Sequence, residues 1–146
     1  MKIGFVGFSD ESCFDEIKAR RIIDTIFDSF SDMFSNEEEI YIVSGGTNMG
    51  IPRLVYEKAT LENEKFGVNY ICIGVMAKEG YNYSLYPCDH IHAIGKHFGD
   101  ESQYFIDSID RLYKIGGGTQ SNKEFQMALT KGISCIEIPN ESIQHE

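Results

Sequence analysis

Short apolar runs alternate with longer stretches of helical periodicity along this chain, and that alternation limits the possible folds more than any other feature. Several runs are nearly continuous in Ile, Val, Tyr, Phe and Cys, as is typical of strands covered on both faces. A β–α alternation of this kind predicts an α/β domain whose sheet is mainly parallel. The predicted strands are residues 3–6, 39–43, 69–76, 90–94, 112–115 and 134–138.

Four helices are predicted between these strands. The first is amphipathic, because its apolar residues recur at spacings of three and four. These residues are Phe14, Ile17, Ile22, Ile23, Ile26, Phe27, Phe30 and Phe34. Ser12 is its predicted cap, and Asp15 and Glu16 suit its positive end. The other helices are predicted at residues 50–65, 101–109 and 122–131, and the aperiodic segment 78–89 is predicted to be a loop on the ligand side.

Length and charge narrow the class of protein. A chain of 146 residues is expected to form one domain, residues 1–146. The net charge of −10 disfavours broad contact with nucleic acid, although backbone amides can still bind a small anion. No apolar run is long enough for a membrane span, the start MKIGFVGFSDES is a poor secretory signal, and the cysteines form no CxxC pair. We therefore expect a cytoplasmic protein with reduced thiols.

Two glycine-rich segments each follow a predicted strand, and they are the strongest functional signal in the sequence. The first contains Ser44, Gly45, Gly46, Thr47, Asn48 and Gly50. The second contains Gly116, Gly117, Gly118, Thr119, Gln120 and Ser121. Ligands of open parallel sheets bind beyond the carboxyl ends of the strands, so both loops are expected to face one crevice.

Both glycine loops have the chemistry for binding phosphate. Glycine lets the backbone approach a ligand closely and adopt a positive φ, and the free N–H groups of the following helix offer hydrogen bonds and partial positive charge. Neither loop has the Walker GxxxxGK[ST] pattern, and the first lacks the GxGxxG spacing of a dinucleotide fingerprint. One such loop would be an ordinary tight turn, but two in one small domain favour a ligand site.

The chain resembles the SLOG superfamily, the Rossmann-like group that includes the LOG or "lysine decarboxylase-like" proteins and the DprA-type domains. The resemblance covers nearly the whole chain and rests on IGFVGFSD, SGGTNMGIPRLVYEKA and SIDRLYKIGGGTQSNKEFQMALTKGISCIEI. In the LOG signature GGxGTxxE, residues 116–118 fill the glycine run and Glu124 matches the glutamate, whereas Gln120 and Ser121 replace Gly and Thr.

This resemblance implies a Rossmann-like three-layer sandwich with a mainly parallel sheet of about six strands. It also adds residues of the opening segment to the expected ligand-binding set, namely Gly7, Phe8 and Ser9. The fold and the site residues are thus expectations that the three-dimensional structure can test.

LOG enzymes are phosphoribohydrolases that cleave the N-glycosidic bond of cytokinin or purine nucleoside 5′-monophosphates. They use the motif glutamate together with an arginine at the start of the preceding helix, so the resemblance makes Glu124 the candidate catalytic residue. The arginine position holds Glu101 in this chain, and Arg53 and Arg111 are the basic residues that would have to replace it. Other SLOG members are binding domains that sense nucleotide-derived signals, and the missing arginine favours that class.

Several of these residues also have structural interpretations. Ser121 and Glu124 fit the S-x-x-E pattern of a capping box, which stabilises a helix start and is compatible with a ligand role. Tyr81, Tyr83 and Tyr86 are more typical of loop packing than of stacking on a nucleobase. The sequence leaves both interpretations open for Glu124.

The sequence as a whole predicts a module that binds a nucleotide or nucleotide-derived small molecule, for sensing or sequestering, between the two glycine loops. The alternatives are a phosphoribohydrolase, in which Glu124 stabilises positive charge developing on the ribose, and a non-catalytic oligomeric scaffold. No cofactor, membrane or nucleic-acid partner is expected, and no metal site, because His90 and His92 lack further ligands at suitable spacing. The phenylalanines of the first helix exceed what one sheet face needs, which predicts a homodimer or homotetramer through helical faces.

Overall fold

Six parallel strands form one sheet with the order β4-β3-β2-β1-β5-β6 in the computed structural model, which describes residues 1–146. The strands are β1 (Lys2–Gly7), β2 (Glu39–Ser44), β3 (Asn69–Met76), β4 (His90–Ala93), β5 (Arg111–Ile115) and β6 (Ser134–Ile138). Every neighbouring pair is parallel. The α/β prediction is confirmed, and the predicted strands agree with the observed ones to within a residue at each end.

Four α-helices cover the two faces of the sheet. They are α1 (Glu16–Met33), α2 (Gly50–Phe66), α3 (Ser102–Asp107) and α4 (Thr119–Lys131). One apolar cluster joins α1 and α2 to the sheet, and a second joins α3 and α4 to its other face. The structure is thus the expected three-layer Rossmann-like sandwich. None of its helices is both long enough and apolar enough to cross a membrane.

The predicted helices 101–109 and 122–131 differ from the observed α3 and α4. Helix α3 is shorter, because Glu101 precedes its first residue and Ile109 has already left the helix to pack in the core. Helix α4 begins earlier, at Thr119, because the backbone passes from the glycine run through Gly118 directly into the first helical turn.

The start of α1 also differs from the prediction. Ser12 lies in a separate 3-10 turn, where it donates to the carboxylate of Asp10. Asp15 is the residue that caps α1, since its side chain accepts a hydrogen bond from the amide of Lys18 at 3.1 Å. An aspartate with extended backbone directly before a helix has the geometry of an N-cap, and the sequence offered two such polar residues close together.

The phenylalanines of α1 lie in the core of the single chain. Phe27 and Phe30 are almost fully buried, and their rings pack against those of Phe5, Tyr70 and Tyr113 from the sheet. These aromatic contacts fill the space between α1 and the strands. The surplus of phenylalanine that suggested a subunit interface is therefore used inside the monomer, and the homodimer or homotetramer stays a prediction.

The aperiodic segment 78–89 begins with a 3-10 turn, Lys78–Asn82, and continues as a loop packed on the first glycine loop. Tyr86 stacks on Tyr56 with ring centroids 5.1 Å apart and shares a hydrogen bond with Thr60. Tyr81 and Tyr83 are exposed. The segment lies at the carboxyl edge of the sheet, as expected, and it supports the neighbouring loop through its backbone.

The two possible caps of α1 give different expectations for stability. Asp15→Ala removes the acceptor for the amide of Lys18, and we expect it to lower the free energy of unfolding by about 0.5–2 kcal/mol. Ser12→Ala removes only an exposed contact with Asp10, so we expect a change within about 0.5 kcal/mol. Urea unfolding followed by circular dichroism measures both variants. Equal losses in the two would contradict the assignment of Asp15 as the cap.

Candidate functional site

A cleft of about 130 Å³ opens at the carboxyl edge of the sheet, beside the place where the strand order reverses. The chain builds outward from β1 to β4 and then returns to place β5 on the other side of β1. The connections that leave β1 and β5 run to opposite faces, which produces a crevice between them. This is the usual ligand position in an open parallel sheet.

The structure brings part of the predicted ligand-binding set together at this cleft. The predicted residues that line it are Gly7, Ser9, Ser44, Gly45, Thr47, Gln120, Ser121 and Glu124. The predicted residues outside the lining are Phe8, Gly46, Asn48, Gly50, Gly116, Gly117, Gly118 and Thr119. Both glycine loops therefore reach the same crevice, but each contributes only some of its residues to the wall.

The first glycine loop uses several of its backbone amides within the protein. At the start of α2, the amide of Gly50 donates to the Glu11 carboxylate at 3.2 Å and the amide of Ile51 donates to the Phe8 carbonyl at 2.8 Å. Pro52, the next residue, has no N–H to offer. These contacts occupy the amides that an anion would need, so the N-terminus of α2 is closed to phosphate.

Two further hydrogen bonds join the same loop to β1 and α2. The hydroxyl of Ser44, which is buried, donates to the Phe5 carbonyl at 2.7 Å. The amide of Gly46 donates to the hydroxyl of Tyr56 at 3.1 Å. These contacts brace the loop from within the fold, whereas the backbone amides of Gly45 and Thr47, which line the cleft, donate to no acceptor in the protein.

The second glycine loop has a backbone that only glycine adopts easily. Gly116 has a φ of 59° and Gly117 a φ of 124°, both in the region that L side chains avoid. A Cβ on Gly117 would lie 2.6 Å from the Cβ of Ser121. Asn140, beyond β6, accepts a hydrogen bond from the Gly117 amide at 2.9 Å and so braces the loop.

The start of α4 differs from that of α2, because its amides are free. The backbone N–H groups of Gly118, Thr119, Gln120 and Ser121 donate to no acceptor in the protein, and no side chain caps the helix. Around Gly118 a Cβ would meet no atom within 4 Å. These amides and the helix dipole together provide hydrogen-bond donors and partial positive charge next to the cleft.

The capping-box interpretation of Ser121 and Glu124 is wrong. Helix α4 begins two residues before Ser121, so neither side chain can reach the cap amides. The hydroxyl of Ser121 instead donates to the Gly7 carbonyl at 3.3 Å. Glu124 accepts a hydrogen bond from the hydroxyl of Ser102 at 3.0 Å, which joins α4 to α3.

Two buried carboxyl groups, those of Glu101 and Glu124, lie near the contact between α3 and α4. The exposed fractions of Glu101 and Glu124 are only 3% and 6%. One oxygen of Glu101, Oε1, accepts from the Gly99 amide at 3.0 Å and from Gln120 Nε2 at 2.7 Å, while Oε2 has no partner. Both carboxyls line the cleft. Sequence reasoning identified Glu101 only as a missing arginine, since nothing in its local pattern predicts that it is buried.

Burial raises the pKa of Glu124 from 4.5 to about 7. Loss of water around the carboxyl is the main cause, the hydrogen bond from Ser102 opposes the shift, and the negative charge of Glu101 adds to it. A carboxyl with this pKa can hold or release a proton near neutral pH, which is a property of groups that act in acid–base chemistry.

Neither Arg53 nor Arg111 replaces the arginine missing at position 101. Arg53 is engaged in ion pairs with Glu11, Glu16 and Glu57 and does not line the cleft. Arg111 begins β5, at the opposite edge of the sheet from the cleft. No lysine or arginine is among the residues that line the cleft.

Apolar side chains complete the cleft, and sequence reasoning missed them. Val75 and Met76 end β3, while Phe98 and Phe105 flank the start of α3. A run of apolar residues predicts a strand without indicating which end of it lines a site. Tyr81, Tyr83 and Tyr86 do not line the cleft.

Comparison with known proteins supports the fold alone. No protein-family model matches the chain, and no curated protein matches it. Among solved structures, the chain is similar to the X-ray structure of TM1055, a Northeast Structural Genomics Consortium target, with 18% sequence identity and a TM-score of 0.69. The similarity covers 92% of this chain and 71% of TM1055. The chain shares the α/β architecture of that structure.

The raised pKa of Glu124 makes the stability of the protein depend on pH. The folded protein binds this proton more tightly than the unfolded chain does. The resulting stabilisation is fully present below pH 4.5 and is lost as the pH rises through about 7. Glu124→Gln keeps an oxygen for Ser102 and has no charge to bury. We therefore expect it to be more stable than the wild type above neutral pH, by at most about 3 kcal/mol.

Thermal unfolding of both proteins from acid to alkaline pH measures this difference. The control is Glu64→Gln, which removes the same charge from an exposed site near the C-terminal end of α2, away from the cleft. We expect the control to follow the wild type. Parallel pH profiles for the wild type and Glu124→Gln would show that this carboxyl is not held protonated by burial.

Proposed function

We propose that the protein binds a nucleotide or nucleotide-derived small molecule in the cleft between the two glycine loops. The observation that carries the proposal is the free start of α4, where consecutive amides donate to nothing in the protein and adjoin the cleft. Backbone amides at a helix N-terminus bind phosphate without help from a basic side chain. That property suits a cleft with no lysine or arginine in its wall and a chain with a net charge of −10.

The remaining walls suit the rest of a nucleotide. Ser9, Thr47 and Gln120 bring polar groups to the wall of the cleft, and Met76 and Phe105 bring apolar side chains. A binding site of this kind typically combines an apolar lining with a few placed polar groups that fix orientation. A sugar and a flat base need these two kinds of contact.

Gly118 offers a clean test of the phosphate position. Its φ is −110°, outside the left-handed region, and an added Cβ would meet no atom within 4 Å. We expect Gly118→Val to keep the melting temperature of the free protein, yet to weaken binding of AMP, ADP-ribose or NAD by more than about tenfold, because the side chain blocks the amides. Calorimetric titration measures the affinity. Gly117→Val is unsuitable, because the clash with Ser121 would disturb the fold itself.

The matched control is Ser134→Val, which adds a similar side chain at an exposed position at the start of β6, far from the cleft. We expect this variant to bind as the wild type does. Normal binding by Gly118→Val would place the anion elsewhere and remove the main support for the proposal.

The second candidate function is hydrolysis of the N-glycosidic bond of a nucleoside 5′-monophosphate. The observation that favours it is the buried Glu124, whose pKa of about 7 lets it hold or release a proton in the cleft. In this reaction water adds to C1′ of the ribose, the bond to the base breaks, and the base leaves with a proton. Glu124 would stabilise the positive charge that develops on the sugar.

Incubation with AMP separates the two functions. We expect the wild type to bind AMP and release no free adenine above the buffer blank, since Glu101 stands where a second, basic group would assist cleavage. Chromatography of the mixture detects adenine and ribose 5-phosphate. Release of adenine by the wild type but not by Glu124→Gln would establish hydrolysis, with Glu64→Gln as the control for charge.

A further inference from the structure

Glu101 carries the one buried side-chain oxygen or nitrogen atom without a hydrogen-bond partner in the protein. The residue lines the cleft, and its exposed fraction is 3%. Buried polar atoms are almost always paired, because an unpaired one loses its bonds to water without replacement. Such an atom at the wall of a binding cleft requires an explanation, and the position of Glu101 supplies one.

The carboxyl of Glu101 is held in a fixed orientation. Its Oε1 accepts two hydrogen bonds, from the Gly99 amide at 3.0 Å and from Gln120 Nε2 at 2.7 Å. These two donors come from the segment before α3 and from the first turn of α4. The group cannot rotate to pair Oε2 without giving up both bonds. The free oxygen is therefore a positioned acceptor.

No group of the protein donates to this acceptor. Ser102 uses its hydroxyl for Glu124, and no hydrogen bond joins Glu124 to Glu101. Phe98 and Phe105, which flank the start of α3 and line the cleft, have no polar group to offer. We therefore assign the donor for Oε2 to a molecule bound in the cleft.

We propose that Glu101 determines the specificity of the cleft, by accepting on Oε2 a hydrogen bond from a hydroxyl or amino group of the ligand. This inference rests on the proposed nucleotide-binding function and adds a requirement to it. The ligand carries an anionic group for the amides of α4 and a hydrogen-bond donor at the contact between α3 and α4. A ligand that places an acceptor there, such as a second phosphate or a carbonyl oxygen, is rejected because two acceptors repel each other.

Glu101→Gln tests this requirement with almost no change in shape. The amide oxygen of the new side chain can keep the bonds from Gly99 and Gln120, because both of those groups are donors. The amide nitrogen then takes the place of Oε2. The variant thus exchanges an acceptor for a donor at the wall of the cleft and removes one negative charge.

Titration calorimetry with AMP, ribose 5-phosphate and inorganic phosphate measures the effect of this substitution on affinity. The expected effects on AMP and on inorganic phosphate are opposite. We expect Glu101→Gln to weaken AMP binding about tenfold or more, because the ligand donor loses its acceptor and meets another donor. Inorganic phosphate, which uses only the amides of α4, is expected to bind equally well or more tightly, because a nearby negative charge has gone. Glu64→Gln removes the same charge at the C-terminal end of α2, away from the cleft. We expect it to change neither the affinity for AMP nor that for inorganic phosphate.

The choice of probes also identifies the donor. If the donor is a sugar hydroxyl, Glu101→Gln binds both ribose 5-phosphate and AMP more weakly than the wild type does. If the donor is the amino group of the base, the variant binds AMP more weakly but binds ribose 5-phosphate as the wild type does. IMP has a carbonyl oxygen in place of that amino group, so we expect it to bind Glu101→Gln more tightly than it binds the wild type. Either pattern supports the proposal.

Tighter or unchanged binding of AMP, ribose 5-phosphate and IMP to Glu101→Gln would overturn the proposal and leave nucleotide binding intact. Absence of binding of every probe to the wild type would overturn the proposed function, and this inference with it. The melting temperature of the free variant confirms that it is folded in both cases.

Discussion

The pairing of β1 with β5 is the contact on which the rest of the structure depends. The two strands are parallel and in register from Ile3 opposite Arg111 to Gly7 opposite Ile115. Because they end level with each other, the backbone after β1 and the second glycine loop emerge side by side. The hydroxyl of Ser121 can then reach the Gly7 carbonyl, and the start of α4 is directed into the crevice. A shift in this register would separate the two halves of the cleft.

The elements of the fold could be predicted from sequence because the sheet is covered on both sides. Strands such as β3 (Asn69–Met76) are apolar on both faces, and the helix α2 (Gly50–Phe66) starts at glycine and proline and ends before a glycine. These are local signals. The order of the strands is not a local property, and the sequence predicted only a mainly parallel sheet of about six strands without their order.

The details of the candidate site were harder to predict, because they depend on contacts between distant segments. The cap of α1 was assigned to Ser12 instead of Asp15, since both have suitable side chains and only the backbone path decides between them. Glu11 lies far in sequence from α2, although its carboxylate accepts a hydrogen bond from the first amide of that helix. Likewise, Glu101 is recognised as a buried acceptor only when α3 and α4 are placed together. The two glycine loops look alike in sequence, yet the amides at the start of α2 are bonded within the protein and those at the start of α4 are free.

The brace from Asn140 to Gly117 affects the thermodynamics of recognition. Asn140 begins a short 3-10 turn that is followed by Ile143. The carbonyl of Ile143 accepts a hydrogen bond from the amide of Asp15 at the start of α1. The loop that presents the free amides is thereby ordered before any ligand arrives. Under the proposed function, association would then cost little conformational entropy of the protein, which favours affinity for a small ligand that makes few contacts.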